Sequence, residues 1–283
     1  MISKRFAVVL CLYLFSAVAW AGNDNIPVGA RSAGLAHTSV TLTDVWSTHH
    51  NQAGLAYLDA PSFALNYENK FMLNDVGIGA LAIGIPTRSG TFGLLLHSQQ
   101  VLDYAENKYS LSYGRKLAER FSVGLALNYN TIRFPDVYGK SNAITADLGF
   151  RVEISKELTA AGHVYNINRA KLNTTTTEYI PTIMRFGLNY TFSKKVFLAA
   201  EAQKDLDAPL VIRAGAEYKV IDQLAVRIGI STNPTLNAFG FGLYLKQFVL
   251  DVAASWHQTL GFSPQLGMCY RIPKKESTTP DQP

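Results

Sequence analysis

Ten charged residues recur where their neighbours are apolar or small, and they are the side chains best placed to do chemistry. They are Asp147, Arg151, Glu153, Arg185, Glu201, Arg213, Glu217, Arg227, Asp251 and Arg271, five of each sign. If one enclosed face holds them all, two uses are open. Buried charges must pair, so the set can neutralise itself as a ladder that fills a narrow lumen. Alternatively, charged rings line a polar conduit that selects solutes.

Other candidates are weaker. His49 and His50 are adjacent, and neighbours on a helix point about 100° apart, so they make poor joint metal ligands. Both are expected to cap a helix or to sit at a mouth. Ser255 and His257 share one strand face, yet nothing identifies a base and an orienting group around the serine. No enzymatic activity, metal or cofactor is implied. Cys269 reads as a small inward residue rather than a reactive thiol. The triplets opening at Asn173 and Asn189 match a glycosylation pattern by chance in a bacterial setting.

Alternation of period two is what places the charges together. Phe121, Val123, Leu125, Leu127 and Tyr129 interleave with Ser122, Gly124, Ala126, Asn128 and Asn130, so one face is apolar and the other polar or small. The pattern repeats over 144–153, 184–192, 224–230 and 248–257, which predicts half-buried strands rather than helices. Strands are expected at 61–70, 76–86, 90–100, 104–117, 120–133, 141–154, 158–168, 179–192, 195–204, 209–220, 223–232, 236–246, 248–258 and 262–272. An even number of segments, each near the roughly 10 residues a tilted strand needs to cross a bilayer, predicts a fourteen-stranded antiparallel transmembrane β-barrel.

Every second connection is short, as at Pro86 to Gly90, Leu117 to Arg120 and Ile154 to Leu158, while others such as Arg169 to Glu178 are longer. This is the arrangement of outer-membrane barrels, with both termini at the periplasmic side. Tyr113, Phe121, Tyr190, Tyr218 and Trp256 lie near strand ends, where interfacial girdles are expected. A soluble sandwich also alternates, but 17% charged residues leave little material for a water-facing surface.

Residues 22–60 break the alternation, and Thr43 and Asp44 are candidate helix caps before Val45 and Trp46. Short helices with small residues ahead of a barrel predict a hatch that plugs its lumen or its periplasmic mouth. The run from Gly29 through Arg31 and Gly34 to Ala36, followed by Asn51, Gln52, Ala53, Gly54 and Leu55, resembles the N-terminal signature of a known family. That family is the PorV/PorQ-like branch of the long-chain fatty acid transporter (FadL) superfamily. Gln52 departs from the signature, which carries proline there. The resemblance implies a fourteen-stranded barrel with an N-terminal hatch. It also implies either a secretion-associated interaction barrel, binding type IX secretion-system or cargo proteins, or a passive uptake channel for hydrophobic ligands such as fatty acids.

The chain opens with Lys4 and Arg5, an apolar run from Phe6 to Val18 and the triplet Ala19, Trp20, Ala21, which predicts a signal peptide over 1–21. Leu10 before Cys11 argues against lipoprotein processing. Without this segment 24 basic residues face 21 acidic ones, too small an excess to propose nucleic-acid binding. Cys269 is then the remaining cysteine, so no internal disulfide holds the fold. A barrel over 61–272 and a flexible periplasmic tail over 273–283 complete the expected organisation, with lipid of the cell outer membrane as the surrounding partner.

Overall fold

The structure, a computed structural model, describes residues 25–134, 139–172, 179–193 and 195–273. The expected signal peptide, the polar run 173–177 and the tail from 274 lie outside the described residues.

Two short helices, α1 (Ala30–Gly34) and α2 (Ser47–His50), and a 3-10 helix (Gln52–Tyr57) precede fourteen strands. The strands are β1 (Ser62–Asn69), β2 (Val76–Pro86), β3 (Thr91–Val101), β4 (Tyr104–Ala118), β5 (Phe121–Arg133), β6 (Lys140–Glu153) and β7 (Leu158–Tyr165). They continue as β8 (Ile183–Phe192), β9 (Val196–Asp205), β10 (Val211–Ile221), β11 (Leu224–Ser231), β12 (Leu236–Leu245), β13 (Phe248–His257) and β14 (Gly261–Arg271). Each pairs antiparallel with its sequence neighbours, and β1 pairs with β14 from Ser62 opposite Arg271 to Glu68 opposite Gln265, which closes the barrel.

The clearest departure from the expected boundaries is at β7 and β8. Alternation carries β7 to 168 and starts β8 at 179, but β7 stops at Tyr165 and β8 begins at Ile183. Asn166 and Arg169 adopt positive φ of 56° and 47°, which no strand allows. The Asn166 side chain then holds the turn, donating to the Ile180 carbonyl at 2.8 Å and accepting from the Ala170 amide at 2.9 Å.

The outward face carries the apolar set. Leu111 and Leu127, cross-strand partners on β4 and β5, are each 61% exposed, and comparable leucine, isoleucine and phenylalanine side chains recur around the wall. A continuous apolar surface of this kind belongs in lipid, not water. Aromatic pairs mark its two edges. Tyr109 with Tyr129, and Trp256 opposite Phe262, lie toward the end bearing the loop 166–182. Phe92 with Tyr113 and Phe248 with Tyr270, at centroid separations of 5.0 and 4.8 Å, lie toward the short turns. Among the described residues no helix is long and apolar enough to cross a membrane.

Candidate functional site

The lumen holds the hatch, and small wall residues admit it. Parity points Gly93, Gly114, Gly124 and Gly149 inward on β3 to β6, where they meet α2 and the 3-10 helix. On the opposite wall Gly187, Gly215, Gly229 and Gly240 meet the chain from Gly34 to Val40. A Cβ at Gly114 or Gly124 would overlap the Gln52 backbone, and one at Gly229 would overlap the Leu35 carbonyl. Even at Gly240 an added Cβ would stand only 3.2 Å from the Gly34 Cα. The hatch backbone therefore lies in van der Waals contact with the wall backbone, where any side chain would stand in its way. The alternation showed these glycines as small inward positions. That several strands each carry one was the signal from which a seat could have been read.

Each residue of the N-terminal signature has a task in this seat. Gly29 takes a φ of +91° with its face against the Trp46 indole, a backbone conformation that favours glycine. Gly54 packs against Ser47 and the Leu42 carbonyl with no room for a Cβ. Asn51 Nδ2 donates to the Val40 carbonyl at 2.9 Å and to the Phe150 carbonyl of β6 at 3.1 Å, tying hatch to wall. Its Oδ1 accepts from the Ala53 amide at 3.2 Å. Ser122 of β5 donates to the Ala53 carbonyl at 3.1 Å. Gln52 opens the 3-10 helix, a first-turn position where proline's fixed φ is also tolerated, so the departure from the signature leaves the hatch path intact. Asp44 Oδ1 accepts from the Trp46 amide at 3.0 Å in the turn before α2. The cap position of that helix is Trp46 and no side chain caps it, so neither Thr43 nor Asp44 serves as the expected cap.

The wall charges are organised around the hatch. Arg31 of α1 donates two hydrogen bonds of 2.9 Å to Glu217 of β10, a bidentate pair, and a third of 3.3 Å to Asp44. Glu217 also accepts from Arg227 of β11 at 2.6 Å, and Arg227 donates onward to Asp251 of β13 at 2.6 Å. Two arginines thus meet three carboxylates. A second network balances it, because Glu201 of β9 lies 3.3 Å from Arg213 and 3.9 Å from Arg185. The other Glu201 oxygen accepts the Ser39 and Val40 amides at 2.8 and 2.9 Å, so a wall carboxylate holds the hatch backbone directly. Removing one member of such a buried set costs about 3–5 kcal/mol because its partner is left unpaired.

The remaining predicted positions are more scattered. Arg151 pairs with Glu153 at 2.7 Å near the short-turn end and lies 4.1 Å over the Tyr57 ring. Asp147 accepts from the Asn166 amide at 3.1 Å, below the long loop. Arg271 ends β14 at the rim, exposed and outside both networks, because the wall stops there. Cys269 packs against a cluster that includes Val28, Val45 and Trp46.

One expectation needs correction, and one constellation set aside above finds no support. His49 and His50 sit at no mouth; both are fully buried, because α2 lies within the lumen. His50 Nε2 donates to the Val28 carbonyl at 2.9 Å, and His49 stacks on His97 of β3 at 5.8 Å. Burial, reinforced by Arg185, pushes the His50 pKa down to about 3, and burial with Lys108 nearby holds His49 well below the usual range. Among the described residues no cluster of ligands could hold a metal. His257 does not serve Ser255, since its Nδ1 accepts the Thr259 and Leu260 amides at 3.1 and 3.2 Å in the turn beyond β13.

At the other end of the lumen an apolar cap lies over its β4–β8 side. Ile132, Ala143, Tyr165 and Ile183 from the wall bury Leu172 and Ile180 from the loop 166–182, with Tyr104 and Phe134 packed alongside. Toward the short turns, a cavity of about 220 Å³ opens between Arg31, Leu42, Arg151, Phe197, Glu217 and Lys219.

Comparison with known proteins bears on the fold alone. No family model matches the chain, and no curated protein sequence does. Among solved structures, a Pseudomonas aeruginosa FadL homologue is similar with a TM-score of 0.66 at 12% identity, covering 88% of this chain and 99% of that one. The CymD monoaromatic hydrocarbon channel has a TM-score of 0.72 at 12% identity, over 90% of this chain and 100% of that one. The Ralstonia pickettii toluene transporter TbuX has a TM-score of 0.66 at 12% identity, over 87% and 98% respectively. The chain thus has the fold of these FadL-type barrels.

Two outcomes follow. Arg31 is the one lysine or arginine between residues 25 and 60. The native barrel is expected to resist trypsin there, whereas Gly124→Leu with Gly229→Leu releases the hatch and yields a cut after Arg31 by mass spectrometry. Gly79→Leu, where a Cβ meets nothing within 4 Å, leaves Arg31 protected. For pH, a histidine whose pKa is depressed by seating costs nothing where it is neutral in both states and opposes seating where the released form is protonated. As pH falls below about 6.5 the released hatch takes up protons that seated His50 refuses until about 3, so seating weakens by about 2 kcal/mol at pH 5. Urea midpoints between pH 7.5 and 5 should fall in the native chain and fall less in His50→Gln.

Proposed function

We propose that this chain is a Gram-negative outer-membrane channel that passes small hydrophobic solutes, with the hatch closing its periplasmic half. A closed barrel with an apolar outer belt, short turns at one end and the last strand, β14, ending there supports the setting. The named activities of similar barrels, a monoaromatic hydrocarbon channel and a toluene transporter, support the solute class. The observation that carries the reading is the cap. Leu172 and Ile180 fill an apolar site in the mouth from a loop rather than from the wall, so an apolar guest can take their place without breaking a strand pair. Nothing in the site favours the type IX secretion role. Most connections at the loop end are short, which leaves little surface for a secreted protein.

Uptake of labelled toluene by intact cells of a Gram-negative host lacking its own hydrocarbon channels tests this. Expression of the chain should raise the initial rate several-fold, and Leu172→Ala with Ile180→Ala should change it further while arabinose entry stays constant. A rate equal to that of the empty host, with the barrel folded in the membrane, contradicts the proposal.

A further inference from the structure

The outer wall changes character on one side. Across β3 to β6 the outward row Leu96, Tyr109, Tyr129 and Ile144 is in direct cross-strand register, and it lies at the upper edge of the apolar belt. Two residues further toward the loop end, about 7 Å along the strands, the next outward row reads Ser98, Asn107, Thr131 and Asn142. Every member of it can donate or accept a hydrogen bond. One row higher, Arg133 of β5 and Lys140 of β6 face each other as register partners. Between these rows lies a cleft of about 360 Å³ lined by Ser98, Gln100, Asn107, Thr131, Arg133 and Lys140.

Like charges placed directly opposite on a sheet destabilise it. Arg133 and Lys140 are both exposed, and among the described residues neither has an ion pair, a hydrogen bond or an aromatic partner. Lys204 also points outward near this end, but its ammonium is used, donating to the Ala208 carbonyl at 2.6 Å. On the far wall the outward row at the belt edge is Ile230, Asn237, Trp256 and Phe262, with no cation, and the exposed Arg169 and Lys171 beyond β7 both lie over the Tyr179 ring. The basic pair is therefore local to one face. It stands about 13 Å along the strand above Tyr129, which strand tilt reduces to about 10 Å in height. That is the depth of headgroups, within reach of flexible basic side chains whose stems lie along the wall.

We propose that this cleft binds a phosphate of a glycolipid in the outer leaflet, with Arg133 and Lys140 clamping the phosphate and Ser98, Asn107 and Thr131 bonding the sugar. An anion between the two cations turns their repulsion into two charge-assisted contacts. The inference rests on the outer-membrane setting proposed above, but not on what the channel carries.

The test is native mass spectrometry of the full chain in detergent, titrated with diphosphoryl lipid A, with its dephosphorylated form and with inorganic phosphate. One diphosphoryl lipid A should bind per barrel, and Arg133→Gln with Lys140→Gln should weaken it about a hundredfold, at about tenfold per lost charge-assisted contact. Dephosphorylated lipid A should bind equally poorly to both chains. Undiminished binding by the double variant, or equal binding of the dephosphorylated lipid, overturns the proposal. So does full competition by millimolar inorganic phosphate, which would mark a site for the free ion. Heat-modifiable gel migration of each sample separates the outcomes, since a chain that lacks it fails as a membrane barrel and not as a lipid site.

Discussion

The constraint on which this structure depends is steric: wall and hatch backbones approach each other so closely that a methyl group at Gly114, Gly124 or Gly229 has nowhere to go. A fourteen-stranded wall encloses more space than its own inward side chains fill when so many of them are glycine, alanine and serine. The chain from Asn25 to Tyr57 occupies that space, and its helices are short because the cylinder allows only brief runs before the backbone must turn. Plug and wall are therefore one packing problem. Interiors close-packed in this way leave no intermediate position for the hatch between seated and released.

Electrostatics then fixes which way the hatch sits. Arg31 finds Glu217, and Glu201 finds the amides of Ser39 and Val40, so the two carboxylates hold successive parts of the hatch on neighbouring strands. Arg227 and Asp251 extend the first network along the wall, while Arg213 and Arg185 surround the second. Neither network is a free-standing ladder within the barrel, and neither lines an open conduit. Glu217 and Glu201 are each shared between wall arginines and the hatch, and withdrawing the hatch would leave both partly unpaired in a low-dielectric interior. Above them the apolar cap at Leu172 and Ile180 covers the β4–β8 side of the opposite end.

The strand pattern was legible because lipid outside and packed hatch inside impose opposite demands on alternate residues, as β5 and β6 show from end to end. It failed where a single side chain overrode it: Asn166 bends the chain out of β7, and nothing in the alternation through 168 distinguishes that asparagine from one in a strand. The hatch was visible as a break in period, but its seat was not. Arg31 and Glu217 lie 186 residues apart, and no local spacing connects them. His49 and His50 read as cap or mouth residues, because nothing local says that the wall encloses every face of α2.

Amide hydrogen exchange of the full chain in detergent micelles tests the seated hatch most directly. The account predicts that amides over 30–57, those of Ser39 and Val40 in particular, exchange as slowly as those of the barrel strands. Exchange of that segment within seconds, beside strands that stay protected for hours, would contradict it.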